Sequence, residues 1–123
     1  MSAAPYLTLV IEHYRRPRNQ RTLATPTHAH EGANPLCGDR VRVEVEVRDG
    51  TLADAGFQAS ACAIATAAAS LLTERVRGAS LGDVSAIGDD DVIAALGAGV
   101  PAGRRGCATL ALRVMRQALA SAT

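Results

Sequence analysis

The residues best suited to chemistry in this 123-residue chain are its three cysteines, Cys37, Cys62 and Cys107. Their intervals match neither a zinc-finger pair nor a ferredoxin run, so spacing alone is silent about metal. Placement says more. Cys37 lies in "NPLCGDR", a turn ahead of an alternating segment, while Cys62 and Cys107 each stand at the start of an expected helix. A thiol there meets unpaired backbone N–H groups and the positive end of the helix, both of which favour the thiolate that binds metal and attacks sulfur. Asp39 is the natural fourth member. Three thiolates and one carboxylate make a closed tetrahedral site for zinc or a clustered iron site. Gly38 lets Cys37 and Asp39 point into the same space. Plainer roles exist for each. A free cysteine is also a small hydrophobe suited to burial, and Asp39 suits a turn cap or a partner for Arg40. Against simple burial, all three cysteines sit at element ends rather than in mid-element core positions.

Other chemistry has less behind it. His13 reads as a helix-surface or partly packed residue. His28 and His30 share one side of a strand if that segment is extended. Asp89, Asp90 and Asp91 are explained by helix capping more simply than by a cation. No "GxSxG" elbow and no "GxxxxGK[ST]" loop occurs, so neither a serine hydrolase nor a nucleoside-triphosphate site has a motif.

The elements that must position the cysteines follow from pattern. "PYLTLVIEHY" (5–14) predicts a short helix with Pro in its first turn. "RRPRNQRTLATPTH", bracketed by Pro17 and Pro26, reads as an irregular connection. In "RVRVEVEVRDG" Val41, Val43, Val45 and Val47 alternate with charged residues, which predicts a strand with one buried face. Asp49-Gly50 predicts a hairpin turn into a return strand, "TLADAGFQ", and "THAHEG" supplies a third, shorter strand. "ACAIATAAASLLTERVRG" (61–78) predicts a helix with an Ile64, Ala68, Leu71 and Leu72 stripe, Ser60 able to cap it and Gly78 stopping it. A short helix capped by Asp89 or Asp90 follows. A last one runs from about Cys107 with Ala108, Ala111 or Leu112, Met115 and Leu119 aligned. The expected whole is one domain over 1–123: a small antiparallel sheet needing helices over its apolar face.

Composition narrows the function classes. Hydrophobic residues make up 48% but aromatics only 2%, so alanine carries much of the apolar total and the core is thin. Thirteen basic residues, all Arg, against twelve acidic give a net charge of +1. Low charge and few aromatics make a poor nucleic-acid binder. No apolar run is long enough to span a membrane. An odd cysteine count and no leader-like N-terminus point to reduced thiols in the cytoplasm rather than a secreted disulfide framework.

Four segments resemble the U-type iron–sulfur cluster assembly proteins, the family of IscU, SufU and the NifU N-terminal domain. They are "HYRRPRNQRTL" (13–23), "NPLCGDRVRVEVEV" (34–47), "FQASACAIATAAASLLTERVRG" (57–78) and "CATLALRVMRQAL" (107–119). Cys37 with its Cys-Gly-Asp motif, Asp39, Cys62 and Cys107 fall in the family's order. The resemblance implies an α+β fold similar to the SufE/NifU-like sandwich, with helices on one face of a three-stranded antiparallel sheet. It also implies a cysteine desulfurase as sulfur donor and recipient or carrier proteins for the cluster. The subtype signals diverge. Gly106 stands where IscU-type scaffolds have a histidine, and "AGVPAGRRG" lacks their Leu-Pro-Pro-Val-Lys segment; "RRGCATLA" is closer to SufU. SufU's insertion between the second and third cysteines is missing, and Ala59 and Ala61 replace common glycines.

Two mechanisms follow from the resemblance. In one, Cys37, Cys62 and Cys107, with Asp39 or an outside ligand, hold a nascent [2Fe-2S] cluster for transfer. In the other, the same four residues bind Zn²⁺, and Cys37 leaves the metal to accept persulfide sulfur. A third class, a structural metal-binding protein that only mediates interactions, remains open. Arg15–Arg21 and Arg104–Arg105 are expected to form a basic rim that meets an acidic partner.

Overall fold

The computed structural model describes residues 5–36, 38–97 and 100–121. The alternating segment forms strand β2 (Asp39–Arg48). Val41, Val43 and Val45 are fully buried, and a bulge between Glu46 and Val47 ends the strict alternation. Glu44 departs from the expected wet face. It is buried because its carboxylate accepts the Leu23 N–H at 2.8 Å and pairs with Arg42 Nε at 3.1 Å. β3 (Thr51–Ser60) returns through Asp49 and Gly50, whose φ values of 54° and 74° suit the tight turn that right-handed strand twist favours. β1 (His28–Asn34) runs antiparallel along the other side of β2, with Asn34 opposite Asp39, giving the sheet order β1-β2-β3. It is longer than the expected "THAHEG" strand.

Among the described residues, five helices join the sheet: α1 (Pro5–Arg15), α2 (Ala63–Val76), α3 (Leu81–Ser85), α4 (Asp89–Leu96) and α5 (Arg105–Ser121), the last preceded by a 3₁₀ turn at Ala102–Arg104. α5 packs over β1 and β2, α2 over β3 and against α5, and α1 and α4 pack against α2. The resulting α+β architecture, helices on one face of a three-stranded antiparallel sheet, is the one expected.

Several local readings change. β3 extends through Ser60, so the expected serine cap is spent in the sheet and Cys62 is the N-cap of α2. α2 shows no single apolar stripe. Ala65, Ala67, Ala68, Ala69 and Ser70 are all fully buried, whereas Ile64 and Leu71 are only partly so. A helix enclosed by neighbours on several sides loses its wet face, and alanine permits the close approach. α3, capped by Ser80 Oγ accepting the Asp83 N–H at 3.1 Å, was not legible in so short a segment. α4 is capped by Gly88, not by Asp89 or Asp90. The Asp91 carboxylate reaches back to accept the Gly88 N–H at 2.8 Å.

A polar seam on α2 fixes the irregular connection. Ser70 Oγ accepts the Arg18 N–H at 2.8 Å and lies 2.7 Å from His13 Nδ1. Asn19 Nδ2 donates to Thr73 Oγ1 at 3.3 Å, and Asn19 O accepts the Phe57 N–H at 2.9 Å. His13 is therefore a buried residue, 5% exposed, rather than a surface one. Burial first, and the Arg18 guanidinium next, hold its pKa below the ordinary 6.5. As pH falls, the unfolded chain takes up this proton before the folded one does. The stabilisation is complete above the unfolded pKa and is lost as pH drops toward the lower folded value. Urea unfolding of wild type and His13→Gln between about pH 8 and pH 5 checks this. The stability advantage of wild type should shrink on acidification, and a constant gap would contradict it.

Candidate metal centre

β2, α2 and α5 bring their first residues together at one end of the sheet. Asp39 begins β2, directly after Gly38, whose φ of 74° turns the chain in the left-handed region that glycine favours. Asp39 is 4% exposed, and its Oδ1 accepts the Cys62 N–H at 2.9 Å. That bond ties the start of β2 to the start of α2. Cys62 is half-buried, and its Sγ accepts the Ala65 N–H at 3.5 Å, replacing the usual hydroxyl or carboxylate of a helix cap. Cys107 lies in the first turn of α5, buried, with Asn34 Nδ2 donating to its Sγ over a long 3.9 Å.

One ligand atom from each of Asp39, Cys62 and Cys107 lies within 4.8 Å of the others. Two sulfurs on a tetrahedral zinc stand about 3.8 Å apart, given Zn–S near 2.3 Å. The three donors therefore need only a small closure to share one centre. Two thiols and a carboxylate suit zinc, and they suit iron–sulfur ligation as well. Cys37, the fourth expected member, lies outside the described residues. On either side of it, Leu36 N–H donates to Asn34 Oδ1 at 3.1 Å and Gly38 N–H to Asn34 O at 2.8 Å.

The remaining candidates fall elsewhere. Among the described residues, His13, His28 and His30 do not join the cluster. Asp90 pairs with Arg105 at 3.1 Å. The expected basic rim is also reduced, because Arg18 pairs with Glu12 and Arg21 with Asp54 within the chain. Arg104 does stand beside the site: with Cys62, Ala63 and Ile64 it lines an open cleft of about 190 Å³. A larger groove, about 570 Å³, runs along α1 between Thr8, Ile11, Glu12, Arg15 and Arg16, and carries no thiol. Asn34 was not singled out from sequence, although an Asn-Pro pair three residues before a cysteine is a turn signal.

An α+β sandwich that gathers thiols and a carboxylate from three element ends defines the class. The chain belongs to the NifU-like N terminal domain family, whose model matches residues 5–122. It is 32% identical over 114 residues to the iron–sulfur cluster assembly scaffold protein IscU 1 of Archaeoglobus fulgidus, covering 93% of this chain and 74% of that protein. It is 33% identical over 73 residues to the zinc-dependent sulfurtransferase SufU of Bacillus subtilis, covering 59% of this chain and 49% of that one. The fold matches a NifU-like N-terminal protein from Brucella abortus with a TM-score of 0.78 at 20% identity, over 94% of this chain and 92% of that one. Neither IscU nor SufU is singled out by these similarities.

A metal bound at this candidate cluster would stabilise the fold by mass action, by about 2.7 kcal/mol at a hundredfold excess over Kd. Zinc added to the metal-free protein should therefore raise its unfolding midpoint. The Cys62→Ala/Cys107→Ala protein should lose that increment while keeping its far-ultraviolet circular dichroism. An equal zinc-induced rise in both proteins would place the metal elsewhere.

Proposed function

We propose that this protein handles sulfur and metal in iron–sulfur cluster assembly, using Cys37, Asp39, Cys62 and Cys107 as an exchangeable ligand set. The observation that carries the reading is the convergence of Asp39, Cys62 and Cys107 within 4.8 Å at the ends of three elements, in a member of the NifU-like family. A cysteine desulfurase is the sulfur donor, and cluster carriers or recipient proteins accept the product.

As a scaffold, the chain takes iron and sulfide as its cargo. The three thiolates bind iron, and Asp39 supplies the one oxygen donor, which a recipient's thiolate displaces more easily than sulfur. The second reading is a zinc-dependent sulfurtransferase, and Gly106 favours it. The residue before Cys107 offers no nitrogen ligand, so the carboxylate completes the set. Zinc, when bound, keeps its thiols deprotonated at neutral pH. Cys62 and Cys107, anchored at helix starts, retain the metal, and Cys37 provides the attacking thiolate. That thiolate attacks the outer sulfur of the donor's persulfide. A new S–S bond forms on Cys37, the donor's S–S bond breaks, and the donor's thiolate leaves, with no net change in oxidation.

Anaerobically purified protein incubated with desulfurase, cysteine and ferrous iron distinguishes the readings. A transferable two-iron chromophore supports the scaffold; one bound zinc with persulfide on Cys37 supports the sulfurtransferase. Protein that gains neither sulfur nor iron would defeat both and leave a structural metal site. Arg104 borders the cleft at Cys62, so Arg104→Glu should slow sulfur uptake, most of all at low salt. An unchanged rate across salt would remove Arg104 from docking.

A further inference from the structure

Asn34 ends β1 with its side chain buried, 8% exposed, between two parts of the cluster. Its Nδ2 donates to Cys107 Sγ at 3.9 Å, and its Oδ1 accepts the N–H of Leu36, the residue before Cys37, at 3.1 Å. Its backbone carbonyl accepts the Gly38 N–H, on the far side of Cys37, at 2.8 Å. One residue thus binds the α5 thiol and both flanks of the Cys37 position. Gly106 has a matching peculiarity. It lies in the first turn of α5, and glycine is a weaker helix former than alanine. A Cβ there would stand 3.1 Å from Asn34 Nδ2, tighter than an ordinary contact.

We infer that Asn34 is a positioning residue for the metal centre, orienting the Cys107 sulfur and linking it to the Cys37 turn, and that Gly106 is glycine to leave room for the Asn34 amide. The inference rests on the metal-site reading of the proposed function. A charged sulfur is the stronger acceptor, so the long N–H···S contact shortens when Cys107 ligates as thiolate. The donated N–H lowers the energy of the sulfur lone pairs and fixes their direction. Such outer contacts hold a ligand's orientation, and losing one typically weakens metal affinity by about 10- to 100-fold. Asn34 and Gly106 therefore act as one unit. A side chain at 106 displaces the amide, and removing the amide frees that space.

Cobalt(II), which takes zinc's geometry and has visible thiolate charge-transfer bands, is the probe. Wild type should bind one cobalt per chain. In Asn34→Ala the charge-transfer band should move to longer wavelength and affinity in chelator competition should fall roughly 10-fold or more. Gly106→Ala should shift both in the same direction, and it serves as the test if Asn34→Ala does not fold. In the Asn34→Ala background, Gly106→Ala should add nothing further. Wild-type cobalt binding with an unchanged band and affinity in Asn34→Ala and Gly106→Ala would overturn this inference alone, as would strictly additive effects. Wild-type protein that takes up no cobalt would overturn the metal-site reading with it.

Discussion

The Asp39 carboxylate accepting the Cys62 N–H at 2.9 Å is the constraint on which the site depends. A buried carboxylate is costly unless it is compensated. The Cys62 N–H supplies part of that compensation, so the bond ties the start of β2 to the start of α2. The same bond aims the cap: with its N–H held by Asp39, Cys62 turns its sulfur back onto the Ala65 N–H. α5 joins because it crosses β1 and β2 and packs against α2. That packing leaves the first turn of α5 level with the other two element starts.

Alanine makes that packing possible. Ala65, Ala67, Ala68 and Ala69 are all completely buried, so neighbouring elements approach α2 closely. Small side chains remove little apolar area from water, and specific polar contacts supplement them. His13, Ser70 and Thr73 lie inside the helical layer and hold the chain from Arg18 to Asn19. That connection in turn passes over β3, where Asn19 O receives the Phe57 N–H. The polar seam and the candidate metal centre thus lie on the same helix, one along its body and one at its cap.

What the sequence made legible follows from the range of the interaction involved. Val41, Val43 and Val45 declare β2 because strand alternation is a property of neighbours, and Asp49-Gly50 declares the turn for the same reason. Grouping Asp39 with Cys62 and Cys107 was also accessible, since each stands at a recognisable element start. The cap of α2 was misplaced because only pairing with β2 carries β3 through Ser60. The burial of His13 depends on Ser70, far along the chain. The ion pairs that reduce the basic rim are likewise products of folding, as Arg21 with Asp54 shows. Asn34 was overlooked because its two side-chain contacts reach different elements, one two residues away and one in α5. No local pattern contains both.

Under the proposed function the candidate ligands would not be held equally. Cys62 caps α2 and Cys107 lies in the first turn of α5, so helix packing holds the backbone of each. Asp39 lies in the central strand and is fixed by its bond to Cys62. The β1–β2 connection is different in kind. Leu36 is 95% exposed, and the described contacts of this connection converge on one residue, Asn34. In the proposed sulfurtransferase reading, this asymmetry favours Cys37 as the thiol that exchanges and Cys62 and Cys107 as those that stay. Asn34 contacts Cys107 and both neighbours of Cys37, so it touches each side of that division.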